Sequence, residues 1–294
     1  MRSSISIPKS NFHIAKNAAR TFRVAFFFGV FVCLEIVSIC QLHYSSPALQ
    51  KQTACNVIIP EVPGFSGPYP VFYLLHGLSD DYSMWQRKTS IGRYAQMLPL
   101  IIVMPDGGRG FYCDATEGFA YESAIVNDCI GFIDRTFNTR AERAGRCIGG
   151  LSMGGYGAIK LALQHPDLFA SANGHSGCYG FAHDSWREGE SEFARISGPT
   201  PIGGKDDVFA LASHFKTRRD GVKAPALRID CGSSDSLIEE NRKFHEHLQK
   251  MNIAHEYVEF PGAHDWSYWD KHIQSALRFH SKHLGISKPR LRAG

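Results

Sequence analysis

The chain has 294 residues, 44% of them hydrophobic and 20% charged, a globular composition with room for one large α/β domain or two smaller ones. Its net charge of +4 sits in the first fifty residues, where Arg2, Lys9, Lys16, Arg20 and Arg23 oppose Glu35 alone, and the remainder is neutral. A basic leader without a basic patch on the fold excludes nucleic-acid binding as the meaning of that charge.

The leader comes first along the chain. "VAFFFGVFVCL", residues 24–34, is an apolar run of eleven. That is the length of a signal-peptide core and short of the roughly 20 residues needed to span a bilayer. Glu35 interrupts, and "IVSIC" continues to Cys40, so Ser38 and Cys40 are candidate small residues before a cleavage site. Residues 1–45 therefore read as a signal peptide or an N-terminal membrane anchor. The expected location is exported: periplasmic, cell-surface or extracellular.

From residue 51, short apolar runs alternate with longer amphipathic ones. "ACNVIIP", "VFYLL", "LPLIIVMP", "AGRCIGGL", "FASANGHSG", "ALRIDCG" and "HEYVEF" predict strands. "YESAIVNDCIGFIDRTF", "YGAIKLALQH", "IEENRKFHEHLQKM" and "YWDKHIQSALRFHSKHL" predict helices. Strands alternating with helices imply an α/β fold with a mainly parallel central sheet covered on both faces. Residues 51–286 make one such domain, and 287–294 form a basic C-terminal tail. Residues 178–223 hold few apolar runs beyond "DDVFALASHF" and read as a short insertion over the site.

Two of the eight cysteines lie in the leader, and the other six show no CxxC and no metal-type spacing. Cys147 and Cys231 fall in strand-like runs and read as small buried apolar residues. In an exported domain Cys113–Cys178 is one available bridge, and spacing does not decide it.

Chemistry concentrates around Ser152. "GLSMG", residues 150–154, is G-x-S-x-G between a predicted strand and a predicted helix, the context in which this pattern makes a strained turn that lifts a serine hydroxyl above a sheet. The helix that follows aims its N-terminus at the same place and favours developing negative charge there. A serine hydroxyl needs a base, and the base needs an orienting acid. Asp235 in "RIDCGSSDSL" and His264 in "PGAHDW" each follow a predicted strand, in the order Ser, acid, His. Backbone N–H groups of Leu78, in "HGL" after the buried "VFYLL" strand, and of Met153 are candidate donors to a carbonyl oxygen as it becomes charged.

Rivals are few. His175, in "GHSG", ends a strand near the same turn and competes with His264. Asp230 lies within a strand and reads as structural, while Asp265 reads as a cap for the last helix. His245, His247, His280 and His283 fall on charge-rich helices and read as solvated. Their spacing suggests no metal site, and no cofactor is implied.

Together "YPVFYLLHGLSDDYSMW", "VMPDGGRGFYCD", "GLSMGGYGAIKLALQHPDLFASANGHSG", "DCGSSDSL" and "PGAHDWSYW" resemble the esterase D group of α/β-hydrolases. That group includes S-formylglutathione hydrolases, feruloyl and acetylxylan esterases, tributyrin-type esterases and mycolyltransferase antigens. The resemblance spans roughly residues 53–284. It implies an α/β-hydrolase fold, Ser152 as nucleophile, His264 as base, Asp235 as acid, and Leu78 and Met153 as oxyanion donors. The chain departs from the group at Asn127-Asp128, where Glu-Leu is common, a change expected to alter packing.

The expected activity is hydrolysis of short-chain carboxylic esters through an acyl-enzyme, on a small-molecule or carbohydrate-linked ester. Tyr112 and Asp114 in "GFYCDA", and Trp85 in "YSMW", are expected on the substrate side. S-formylglutathione hydrolysis and mycolyl-type acyl transfer are the alternatives within the same chemistry. A non-catalytic surface-binding module is the alternative outside it.

Overall fold

The computed structural model describes residues 37–183, 191–217 and 221–287. Eight strands form one sheet: β1 (Val37–Ser46), β2 (Lys51–Pro60), β3 (Val71–Leu75), β4 (Ile101–Pro105), β5 (Arg146–Leu151), β6 (Ser171–His175), β7 (Ala226–Gly232) and β8 (His255–Phe260). Their order is β1-β2-β4-β3-β5-β6-β7-β8. The β1–β2 and β2–β4 pairs are antiparallel, and every later pair is parallel. All seven predicted strands are present. The architecture is the expected α/β fold.

The first strand was not expected. Residues 37–45 read as part of the leader, yet they pair along their whole length with β2. The position inferred for cleavage near Ser38 and Cys40 thus falls inside the sheet, and the domain begins at Val37 or before it. The apolar run at 24–34 and the basic tail from 288 lie outside the described residues, and no described helix is long and apolar enough to cross a membrane.

The helices are α1 (Met84–Lys88), α2 (Ile91–Ala95), α3 (Tyr121–Ser123), α4 (Ile130–Thr136), α5 (Met153–Gln164), α6 (Glu192–Ser197), α7 (Val208–Thr217), α8 (Ile238–Lys250) and α9 (Trp266–Leu284). Side chains alternate faces along a strand, and β3 shows the result. Val71, Tyr73 and Leu75 enter a core with residues of α4, α5, α7 and α8, whereas Phe72 and Leu74 enter a second core with α1, α2 and α9. A strand apolar at every position is what two covered faces require. The helix predicted at 121–137 is α3 and α4 joined by π-helical turns at Ala124–Cys129. Within them Asp128 accepts hydrogen bonds from Ser46 Oγ at 2.6 Å and Ala48 N–H at 3.0 Å, tying down the β1–β2 hairpin.

One histidine departs from expectation. His280 is fully buried on the inner face of α9, where burial holds its pKa well below the usual value. The neutral ring donates from Nε2 to Asn173 Oδ1 and accepts at Nδ1 from Ser171 Oγ, both at 2.8 Å. His245, His247 and His283 keep some contact with solvent. Cys113 and Cys178 form no disulfide in the structure, while Cys147 and Cys231 are buried as read.

Candidate active site

Strand β5 runs into α5 through Ser152, whose backbone has φ 51° and ψ −119°, a conformation that side chains other than hydrogen rarely adopt. Its flanking glycines explain how the turn fits. A Cβ on Gly154 would lie 2.6 Å from the carbonyl oxygens of Leu75 and His76, and one on Gly150 would lie 2.5 Å from Gly154 O. Only hydrogen fits in either place, so the start of α5 presses against the end of β3. The strained residue is held by Ser152 N–H donating to His175 O at 2.9 Å and by Tyr156 N–H donating to Ser152 O at 3.0 Å.

Two other strand ends bring partners to the hydroxyl. After β7, Ser233 N–H donates to Phe260 O and Ser234 N–H to Gly262 O, which lock the Asp235 loop to the His264 loop. His264 Nδ1–H donates to Asp235 Oδ1 at 2.9 Å and Oδ2 at 3.0 Å, and Nε2 lies 3.0 Å from Ser152 Oγ. The His264 side chain is 28% exposed and that of Asp235 fully buried. The carboxylate is dry while the imidazole reaches the cavity. Burial alone would raise the Asp235 pKa, but hydrogen bonds from His264, the Leu237 N–H and Ser176 outweigh it and hold the carboxyl below its ordinary value.

Ser176 escaped the sequence reading, although it stands in the quoted "GHSG". Its backbone is also left-handed, with φ 49°. Its hydroxyl bonds to Asp235 and accepts from Trp269 Nε1 at 3.3 Å. Trp269 in turn stands perpendicular to the His264 ring, centroids 5.0 Å apart. His175, the rival base, is fully buried with its ring on Asp230 at 2.8 Å, and it meets Ser152 only through its carbonyl. Asp265 caps α9 by accepting from the N–H groups of Ser267 and Tyr268.

The loop after β3 is held from both sides. His76 Nδ1–H donates to Gly77 O at 2.8 Å, its Nε2 accepts from Gly107 N–H at 2.9 Å, and Asp80 accepts from Gly77 N–H at 3.2 Å. Leu78 and Met153 both line the cavity that contains Ser152 and His264, whose volume is about 290 Å³. Phe111, Phe193 and Leu237 add apolar wall, and Ser236 and Glu240 add polar wall.

None of the three residues expected on the substrate side is among those lining the cavity around Ser152. Tyr112 is fully buried, donating its hydroxyl to His76 O at 3.0 Å in the loop after β3. Asp114 accepts from the N–H and hydroxyl of Ser123. Trp85 is buried, with Nε1–H on Leu75 O at 2.9 Å. Tyr112 and Trp85 thus hold backbone carbonyls at the end of β3, and Asp114 holds the end of α3. Among the described residues no group of His, Cys, Asp or Glu side chains is arranged to hold a metal ion.

An eight-stranded, mostly parallel sheet with this serine turn at the carboxyl end of a central strand defines an α/β-hydrolase. The family model described as "Putative esterase" matches residues 46–280, and the chain belongs to this esterase family. It is 28% identical over 267 residues to an acetyl esterase of Caldicellulosiruptor saccharolyticus, covering 84% of this chain and 99% of the relative. A substrate-bound fluorophosphonate-binding serine hydrolase F from Staphylococcus aureus superposes with a TM-score of 0.76 at 29% identity, covering 83% of this chain and 98% of that one. An S-formylglutathione hydrolase of the same organism superposes with a TM-score of 0.72 at 30% identity, with the same coverage.

Proposed function

We propose that the protein is a serine carboxylesterase that hydrolyses short-chain acyl esters through Ser152, His264 and Asp235. The observation that carries this reading is the unbroken chain of hydrogen bonds from Asp235 through His264 to Ser152 Oγ, open to a small, largely apolar cavity. His264 Nε2 takes the hydroxyl proton as Ser152 Oγ attacks the ester carbonyl. The N–H groups of Leu78 and Met153 receive the charge that develops on oxygen. His264 then protonates the departing alcohol, leaving an acyl group on Ser152. Water, deprotonated by the same imidazole, releases the acid. Asp235 keeps Nδ1 protonated and stabilises the imidazolium throughout.

Ser152→Ala is expected to lower kcat for p-nitrophenyl acetate by about 10⁵–10⁶-fold and to abolish labelling by a fluorophosphonate probe. A folded mutant with wild-type turnover defeats the assignment. The similarity to an S-formylglutathione hydrolase favours a second reading, thioester hydrolysis at the same serine. Turnover of S-formylglutathione beside acetyl esters separates the two. Export belongs to the same proposal and rests on the apolar run at residues 24–34; recovery of the full-length protein only in the cytoplasmic fraction defeats it.

A further inference from the structure

Helix α6 belongs to the insertion, and it closes one wall of the cavity around Ser152 with Phe193. The short helix is fastened to the body by two backbone bonds, Thr116 N–H to Ile196 O at 3.0 Å and Glu117 N–H to Arg195 O at 2.9 Å, and by the buried Ile196 side chain. At its first turn the fastening is ionic. Arg109, in the loop after β4, donates from Nε to both carboxylate oxygens of Glu192 at 3.0 Å. The same guanidinium donates from Nη1 to Ser79 Oγ at 3.0 Å, one residue beyond Leu78, and its Cζ lies 5.9 Å from the centroid of the Phe193 ring. One cation thus joins the loop of the oxyanion donor to the helix that carries Phe193.

Phe193 does not stand alone. Its ring meets Phe111 edge-on, with centroids 5.4 Å apart and planes at 87°, and Phe111 stacks on Phe181 at 4.1 Å. Phe111 and Phe193 line the cavity with Leu78, and the guanidinium over Phe193 also holds Ser79 next to it, whereas Ser236 and Leu237 follow directly on Asp235 in the chain. His264 must protonate the leaving oxygen, so the alcohol half of an ester faces the imidazole and the acyl half faces away from it. That leaves the apolar wall of Phe111 and Phe193 in the same cavity to receive the acyl half.

We infer that Phe193, seated by the Arg109–Glu192 ion pair, sets the length of the acyl chain that Ser152 accepts. This rests on the esterase reading above and adds to it the residue that limits the substrate. One methylene more or less in an apolar pocket changes kcat/KM by about 10–200-fold, so removal of a phenyl ring from the cavity wall is large on that scale. Both partners of the ion pair are nearly half exposed, at 47% and 45%, so its hold weakens in concentrated salt.

The test is the ratio of kcat/KM for p-nitrophenyl hexanoate to that for the acetate. Phe193→Ala is expected to raise the ratio at least about tenfold over wild type. Phe193→Leu provides a milder cut should the alanine variant misfold, and Glu192→Gln should move the ratio the same way by less. An unchanged ratio in folded Phe193 variants overturns the assignment. An unchanged ratio in Glu192→Gln overturns the part given to the ion pair. A folded wild-type protein that hydrolyses neither ester overturns the esterase reading as well, whereas acetate hydrolysis with an insensitive ratio overturns only this inference.

Discussion

His264 Nε2 stands 3.0 Å from Ser152 Oγ although 112 residues separate them in the chain. The approach depends on two loops fastened edge to edge, and on a serine whose backbone is held in a conformation it does not prefer.

Asp235→Asn should keep the fold, since the amide is nearly the same size, and remove the charge that fixes Nδ1–H on His264. The expected loss in kcat is about 10⁴-fold. Stopped or steady-state hydrolysis of p-nitrophenyl acetate measures it, with circular dichroism as the check on folding. A loss below tenfold would show that Asp235 is not the acid.

Ser176→Ala removes one donor to the Asp235 carboxylate and the acceptor of Trp269 Nε1–H. With fewer hydrogen bonds to the charged form, the Asp235 pKa rises toward its ordinary value. The acid limb of kcat/KM should move to higher pH while KM at neutral pH changes little. The unpaired indole N–H costs about 1–3 kcal/mol of stability. A pH profile superimposable on wild type assigns Ser176 to packing alone.

Gly154→Ala places a methyl 2.6 Å from two carbonyl oxygens of the β3 end, Leu75 O and His76 O. Backbone cannot yield there without lifting α5 off the sheet. Thermal unfolding should show a marked drop in Tm, with esterase activity lost in parallel. Retention of both would show that the serine turn does not depend on the close approach of Gly154 to the end of β3.

Glu122 gives a pH dependence to stability. Burial opposes its charge, but His165 and Lys160 overcome that and lower its pKa from 4.5 to about 2. Lys160, fully buried on α5, lies 2.5 Å from Glu122 Oε2 and 3.1 Å from Asp206 Oδ1. Because the folded-state pKa is depressed, the contribution is whole above pH 4.5 and is lost as pH falls toward 2. It amounts to roughly 3 kcal/mol. Glu122→Gln should lower neutral-pH stability by about that much and flatten the decline in denaturant midpoint between pH 4.5 and 2. An unaltered acid limb would remove Glu122 from the account.

Periodicity carried most of the fold. A strand apolar at every position, such as "VFYLL", can only be buried on both faces, and four amphipathic stretches could only cover such a sheet. The serine turn was legible because its glycines are demanded by backbone crowding within a few residues of Ser152. The order Ser152, Asp235, His264 was legible because each follows a strand. Local patterns fix local conformation, and a parallel sheet then delivers all its strand ends to one edge.

What needed the folded chain was every relationship between distant segments. Val37–Ser46 looked like leader because half of its side chains are apolar, and only pairing with β2 makes it a strand. Tyr112, Trp85 and His280 have a polar tip on an apolar body, so composition alone could not say whether they face solvent, substrate or core. Packing sent them inward, each to a hydrogen-bond acceptor that sequence distance conceals. The Arg109–Glu192 pair and the bond from Ser176 to Asp235 join residues far apart in the chain, and no spacing rule connects them. Those contacts fasten the helix that carries Phe193 and lower the Asp235 pKa, because side-chain chemistry there is set by neighbours in space.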